Sequence, residues 1–180
     1  FMISSAIGKY NAMVTLEEGV DASWAQVENV YQRRADLIPN LVATVKGYAE
    51  HEQETFTAVT EARSKVNNIN VEGMANNPQA LQNFQQAQGQ LSSALSRLMV
   101  VVEKYPDLKA NQNFLDLQTQ LEGTENRIAV ERNRFNKVAQ GYNTIIRRFP
   151  GSIYAGMFGF DRKAYFEAES GSEIAPQVEF

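Results

Sequence analysis

The sequence predicts an all-α fold: a four-helix bundle of long amphipathic helices with a short irregular C-terminal tail. Two observations carry this. Apolar residues recur every three or four positions through four successive segments. Those segments are separated by proline and asparagine punctuation at Asp36–Pro39, Asn67–Pro78 and Tyr105–Pro106, so consecutive helices can fold back on one another.

The first segment runs from about Ser5 to Arg34, with its stripe at Tyr10, Met13, Leu16, Val20, Trp24, Val27 and Tyr31. Strand alternation fits nowhere in it, and Trp24 on the stripe is expected to be buried. Asp36-Leu37-Ile38-Pro39 reads as a turn into a second helix, since Asp36 can accept free amides and Pro39 is tolerated in a first turn. The alternative is one helix kinked at Pro39. The turn suits a compact domain better, because an unbroken helix to Asn67 would span roughly 90 Å.

The second segment, about Leu37 to Asn67, has its stripe at Leu41, Val45, Tyr48, His51 or Glu52, Phe56, Val59, Ala62 and Val66. Asn67 to Pro78 is asparagine-rich and reads as a surface loop. The third segment, from Pro78 to Tyr105, places Leu81, Phe84, Ala87 or Gln88, Leu91, Leu95, Leu98 and Val102 on one face. The fourth, about Asp107 to Arg148, is marked on its buried side by Leu108, Phe114, Leu117, Leu121, Ile128, Phe135, Val138, Tyr142, Ile145 and Phe149. The tail from Ser152 is turn-rich, but Tyr154–Phe160 is too apolar to float free and is expected to pack on the bundle. Glu169 to Phe180 reads as partly ordered.

Composition narrows function. The chain has 180 residues, enough for one domain without a metal or disulfide staple. It has no cysteine, which removes disulfides, thiol nucleophiles and thiolate metal sites. A formal net charge of −4 argues against duplex nucleic acid as a partner. No run of about 20 apolar residues is present to cross a membrane. Phe1 to Gly8 is apolar and uncharged until Lys9, which fits a frayed helix start or the edge of a longer apolar segment.

Residue patterns for chemistry are sparse. A di-metal bundle needs carboxylates on all helices and Glu-x-x-His pairs, and neither pair occurs around the single histidine, His51. His51 reads as a half-exposed helix residue, and no metal or other cofactor is expected. Gly156-Met157-Phe158-Gly159 lacks the lysine and hydroxyl of a phosphate loop, and no Gly-x-Ser-x-Gly elbow occurs. On the fourth segment, Glu122, Glu125 and Glu131 mix with Arg127, Arg132, Arg134 and Lys137. That pattern is a solvated face, or a contact in which Arg33 and Arg34 meet Glu125 or Glu131. Asn40, Asn111, Asn126 and Asn143 lie beside the apolar stripes, where an amide usually joins a network that sets register. Arg147 and Arg148 suit a helix C-terminus, or equally anionic headgroups.

Several stretches resemble the soluble part of bacterial LemA family proteins. The resemblance starts at Tyr10-Asn11 and Val20–Val27. It is strongest in Arg33-Arg34-Ala35-Asp36-Leu37-Ile38-Pro39-Asn40-Leu41-Val42 and on through Val45–Glu52. Glu103-Lys104-Tyr105-Pro106-Asp107-Leu108-Lys109-Ala110-Asn111 and Leu121-Glu122-Gly123-Thr124-Glu125-Asn126-Arg127-Ile128-Ala129 extend it. Ala62-Arg63, Tyr142-Asn143, Phe149-Pro150-Gly151 and Phe158-Gly159-Phe160 complete it, and residues 67–88 depart most. The resemblance implies a helical-bundle domain behind one N-terminal membrane-spanning helix in a bacterial cell membrane, and it brings no enzyme activity with it, because the family has no settled biochemical role. It implies a division into residues 1–8 as the end of the anchor, 9–151 as the bundle and 152–180 as the docked tail. Its polar motif positions are Arg33, Arg34, Asp36, Pro39, Lys109, Asn111, Glu125, Asn126 and Arg127; Asn40 joins them as a network candidate.

The functional expectation is a non-enzymatic interaction domain that meets a protein partner at a membrane and touches the bilayer through an upstream segment. The alternative is a small-ligand or uncharacterised enzymatic module using polar residues between helices. A deep pocket lined by Arg33, Asn126 and Arg127 favours the alternative. A filled core with an exposed apolar groove favours the partner.

Overall fold

The structure, a computed structural model, describes residues 2–167, with side chains from residue 6 onward. The expectation for Glu169–Phe180 lies outside those residues. Every regular element among the described residues is helical: α1 (Met2–Lys46), α2 (Gln53–Asn67), a 3-10 turn (Met74–Asn76), α3 (Pro78–Val102), α4 (Pro106–Lys109), α5 (Gln112–Arg147) and α6 (Gly151–Phe158).

The all-α class is as expected, but the breaks fall elsewhere. α1 does not turn at Asp36; it continues through Pro39 to Lys46, with Asp36 and Pro39 exposed on its outer face. Proline removes the amide that would have bonded the carbonyl four residues earlier, that of Ala35. In the fold, Arg63 of α2 supplies the missing donor, its Nε bonding the Ala35 oxygen at 2.9 Å. A long-range contact thus satisfies the defect that local chemistry reads as a stop. The chain reverses instead at residues 47–52, where Tyr48 and His51 stand exposed in a turn rather than on a helix.

The fourth segment is likewise two helices. Asn111 ends the short α4 and caps α5, its side-chain oxygen accepting the Phe114 amide at 3.0 Å. Asn77 does the same for α3, accepting the Ala80 amide at 3.0 Å with Pro78 in the first turn. The loop before it is not a plain surface excursion, because Met74 and Ala75 are buried in the core. The tail is not wholly irregular either. Its first part is α6, closed by Gly159 at φ 75° with the Phe160 amide bonding back to Ala155 at 3.0 Å.

α1 and α5 run antiparallel, as the Trp24–Phe135 and Arg34–Glu125 contacts show. Around the first half of α1, Met13, Val20, Trp24, Val27 and Tyr31 pack with Ile128–Ile146 of α5, the start of α3 and Phe166 of the tail. Trp24 is buried as expected, its indole ringed by Phe84, Phe135 and Phe166 at centroid distances of 5.5–5.9 Å. Around the second half, Ile38, Leu41 and Val45 pack with α2, the end of α3, Leu108, Phe114 and Leu121.

Candidate functional site

Arg34 lies on the buried face of α1, one turn from Tyr31 and Ile38, and is only 2% exposed. Burying a guanidinium is costly unless its donors are used. Here Nη1 donates to Ser92 Oγ of α3 and to Glu125 Oε1 of α5, both at 2.8 Å. Nη2 donates to the Gln88 carbonyl at 3.3 Å and to Gln88 Oε1. The guanidinium also sits 5.2 Å from the Tyr31 ring centroid. One side chain therefore joins α1, α3 and α5. Its Nε and the Gln88 Nε2 make no hydrogen bond, and a cavity of about 30 Å³ adjoins them. Glu125 keeps 40% of its side chain in solvent, so the pair bridges core and surface.

The second buried cation was not expected. Lys163, 3% exposed, sits in the irregular segment after α6. Its Nζ donates to Glu17 Oε1 at 2.6 Å and Asn76 Oδ1 at 2.7 Å, and lies 5.3 Å from the Tyr142 ring centroid. Three side-chain amides hold the same segment by its backbone. Asn143 donates to the Lys163 carbonyl and accepts its amide, both at 2.9 Å; Asn136 does the same for Phe166. Gln85 pairs with Glu167 at 2.8 and 3.2 Å, and the Ala164 amide bonds the Ala75 carbonyl at 2.8 Å. Burial, then the negative charges of Glu17, Asp161 and Asp21, raise the Tyr142 phenol above its ordinary range.

The remaining candidates scatter. Arg33, Asp36, Asn40, Lys109, Asn126 and Arg127 are exposed. Asp36 accepts a bond from Gln32 at 2.8 Å, and Lys109 pairs with Glu103 at 2.6 Å. Besides capping α5, Asn111 donates to Tyr48 Oη at 2.9 Å, tying the 47–52 turn to that helix end. Tyr105 donates to Glu52 at 3.4 Å in the same corner; desolvation, then Glu52, raises its pKa. Asn143 is the one stripe asparagine that is buried, and it reads the tail. Among the described residues, no group of three or more His, Asp and Glu side chains is placed to hold a metal ion.

Arg33, Asn126 and Arg127 do not line one pocket. What opens beside the Arg34 group is a groove of about 580 Å³ between α3 and α5, with Leu95, Met99 and Leu121 on its floor and Ser92, Glu125 and Asn126 along its sides.

The sequence model of the LemA family matches residues 23–180, from beside Trp24 through the Arg34–Glu125 pair to the docked tail. The chain belongs to the LemA family. Curated relatives agree. A magnetosome protein MamQ of Magnetospirillum gryphiswaldense is 29% identical over 200 aligned positions, covering 98% of this chain and 72% of the relative. Magnetosome protein MamQ 1 of Paramagnetospirillum magneticum matches to the same extent. Protein LemA of Metamycoplasma hominis is 25% identical over 162 positions, covering 90% of this chain and 70% of its own length. In this LemA-family chain, the Arg34 site could be read from the sequence in part, because Arg34 and Glu125 fall in the polar motif positions. Gln88 showed only as an ambiguous stripe residue. Ser92, Arg63, Lys163 and Glu17 gave no separable signal, since their partners lie far off in the sequence.

Proposed function

We propose that this LemA-family chain is a non-enzymatic protein-interaction domain tethered at a bacterial membrane by one N-terminal helix. The observation that carries the reading is the α3–α5 groove, whose apolar lining and polar sides lie beside Arg34 of α1, which bonds Ser92 of α3 and Glu125 of α5 and so ties the two flanking helices together. We take α1, α2, α3 and α5 around Leu41, Leu98 and Phe114 as the four-helix section on which that groove is built. The membrane part rests on LemA membership. No helix among the described residues is itself long and apolar enough to cross a membrane.

A small-ligand reading has one observation in its favour, since the groove volume falls within the range of about 300–1,000 Å³ typical of ligand sites. Its open form and few convergent donors suit a helix or strand of a partner better.

The test is a photo-crosslinking residue at Met99 in the groove, with Val130 on the exposed side of α5 as control, in native membranes carrying full-length protein. The reading expects a discrete protein adduct from position 99 that weakens in Glu125→Ala and is absent from position 130. Identical patterns from both positions contradict it. Fractionation tests the tether: full-length protein should resist salt and alkaline washes and leave with detergent.

A further inference from the structure

The end of the molecule where α6 turns the chain back carries exposed apolar surface that no internal contact uses. Phe149 is 83% exposed, Ile153 53% and Met157 70%. Ile153 and Met157 lie four residues apart on one face of α6, and Phe149 stands in the turn that leads into that helix. The other face is packed. Ala155 is buried, and Gly151 lies so close to the Ile145 carbonyl that a Cβ there would collide with backbone. α6 contains no charged residue.

Its far end meets α1, where Phe158 and Phe160 hold Tyr10 with ring centroids 5.0 and 5.7 Å away. Ile7, one turn earlier on α1, is exposed too. Other exposed apolar side chains, such as Val100 and Val130, stand among polar neighbours on single helices and need no explanation.

Charge marks the same end. Residues 6–13 and 145–162 together contain Lys9, Arg147, Arg148 and Arg162 against one carboxylate, Asp161, in a chain whose net charge is −4. Arg147, Arg148 and Arg162 are all exposed. A short apolar helix face rimmed by arginines on an otherwise acidic protein matches an anionic lipid surface, whose headgroups take the cations while the acyl boundary takes the side chains.

We propose that α6, with Phe149, is a membrane-interface helix that rests on anionic lipid and seats the end of the bundle against the bilayer. The proposal deepens the membrane-tether reading by naming the surface that faces the lipid, and its test does not use the tether.

The 180-residue chain is floated with vesicles of phosphatidylglycerol and phosphatidylcholine, and with phosphatidylcholine alone. Because the chain has no cysteine, Met157→Cys labels at one position with a polarity-sensitive dye; Val130→Cys is the control. Expected are salt-sensitive binding to the anionic vesicles and a blue shift at position 157 alone. The triple change Phe149→Ser, Ile153→Ser and Met157→Ser should weaken binding by roughly tenfold or more. It should leave the melting temperature in place, since all three side chains are exposed. Arg147→Gln with Arg148→Gln should flatten the salt dependence.

Failure of the unaltered chain to bind anionic vesicles overturns the proposal, as does unchanged binding by the triple variant. Triple-sensitive self-association without lipid binding also overturns it and assigns the face to a second copy. Full-length protein that stays in membranes while the chain ignores vesicles would sink this proposal and leave the tether standing.

Discussion

Arg34 and Lys163 are two buried cations in similar surroundings that do different work. Each pairs with a carboxylate about one-third to two-fifths exposed, Glu125 at 40% and Glu17 at 33%. Each also bonds an amide oxygen and faces a tyrosine ring. Arg34, however, sits mid-helix and spreads its fork over two other helices. Lys163 sits on the irregular segment after α6 and gathers α1 and the 3-10 turn onto it. Arginine's rigid fork suits a junction of rigid bodies, whereas the compact ammonium suits a peg at the end of a flexible stem. The comparison teaches that one clamp sets helix spacing while the other fastens a segment that could otherwise detach.

Separating the two clamps by mutation gives the largest expected effect at Arg34. Arg34→Met strands the buried Gln88 side chain, frees the half-buried Ser92 hydroxyl and loosens three helices, so a loss of about 3 kcal/mol is expected in denaturant melts. Glu125 is partly solvated and rehydrates, which keeps the loss from going higher. On the tail side, Asn143→Leu leaves the Lys163 amide and carbonyl unpaired in a buried place. About 2 kcal/mol is expected, with faster proteolysis after α6. A loss as large as that at Arg34, with whole-chain unfolding, would erase the distinction.

Smaller effects sharpen it. Arg63→Met orphans the Ala35 carbonyl beside Pro39 and should cost about 1 kcal/mol. Pro39→Ala should remove most of that penalty, because the alanine amide satisfies the carbonyl from within α1; additive losses in the double variant would contradict this. The smallest effect concerns Tyr142 under the tail. Its folded pKa is raised, so the folded form holds its proton while the unfolded chain releases it near pH 10. Stability from this source is complete below that pH and falls as pH rises above it. Tyr142→Phe removes the titrating hydroxyl, so it should lessen the alkaline decline while changing stability at pH 7 by no more than about 1 kcal/mol. A steeper alkaline decline in the variant would reverse the assignment.

Periodicity made the helical faces legible. Trp24, Val27, Leu91, Phe114 and Phe135 are buried where three- and four-residue spacing puts them. Local chemistry misled where a distant residue overrides it. Pro39 reads as a boundary until Arg63 answers the carbonyl it frees. Tyr105–Asn111 reads as one helix start until Asn111 caps a second. For the site, Arg34 and Glu125 stood out as polar motif positions and as one of the charge contacts expected between the first and fourth segments. Lys163 did not, because an irregular segment has no helical period to mark its buried side, and Asn136, Asn143 and Gln85 look like ordinary helix amides until the segment after α6 lies on them.

The division of labour is tested most directly by peptide-level hydrogen exchange on the unaltered chain, Arg34→Met and Lys163→Met. Lys163→Met should speed exchange in residues 160–167 and 74–77 and leave α2, the second half of α3 and the first half of α5 protected. Arg34→Met should raise exchange across α1, α3 and α5 together. Exchange spreading through every helix in Lys163→Met, or confined to a single helix in Arg34→Met, would contradict the account.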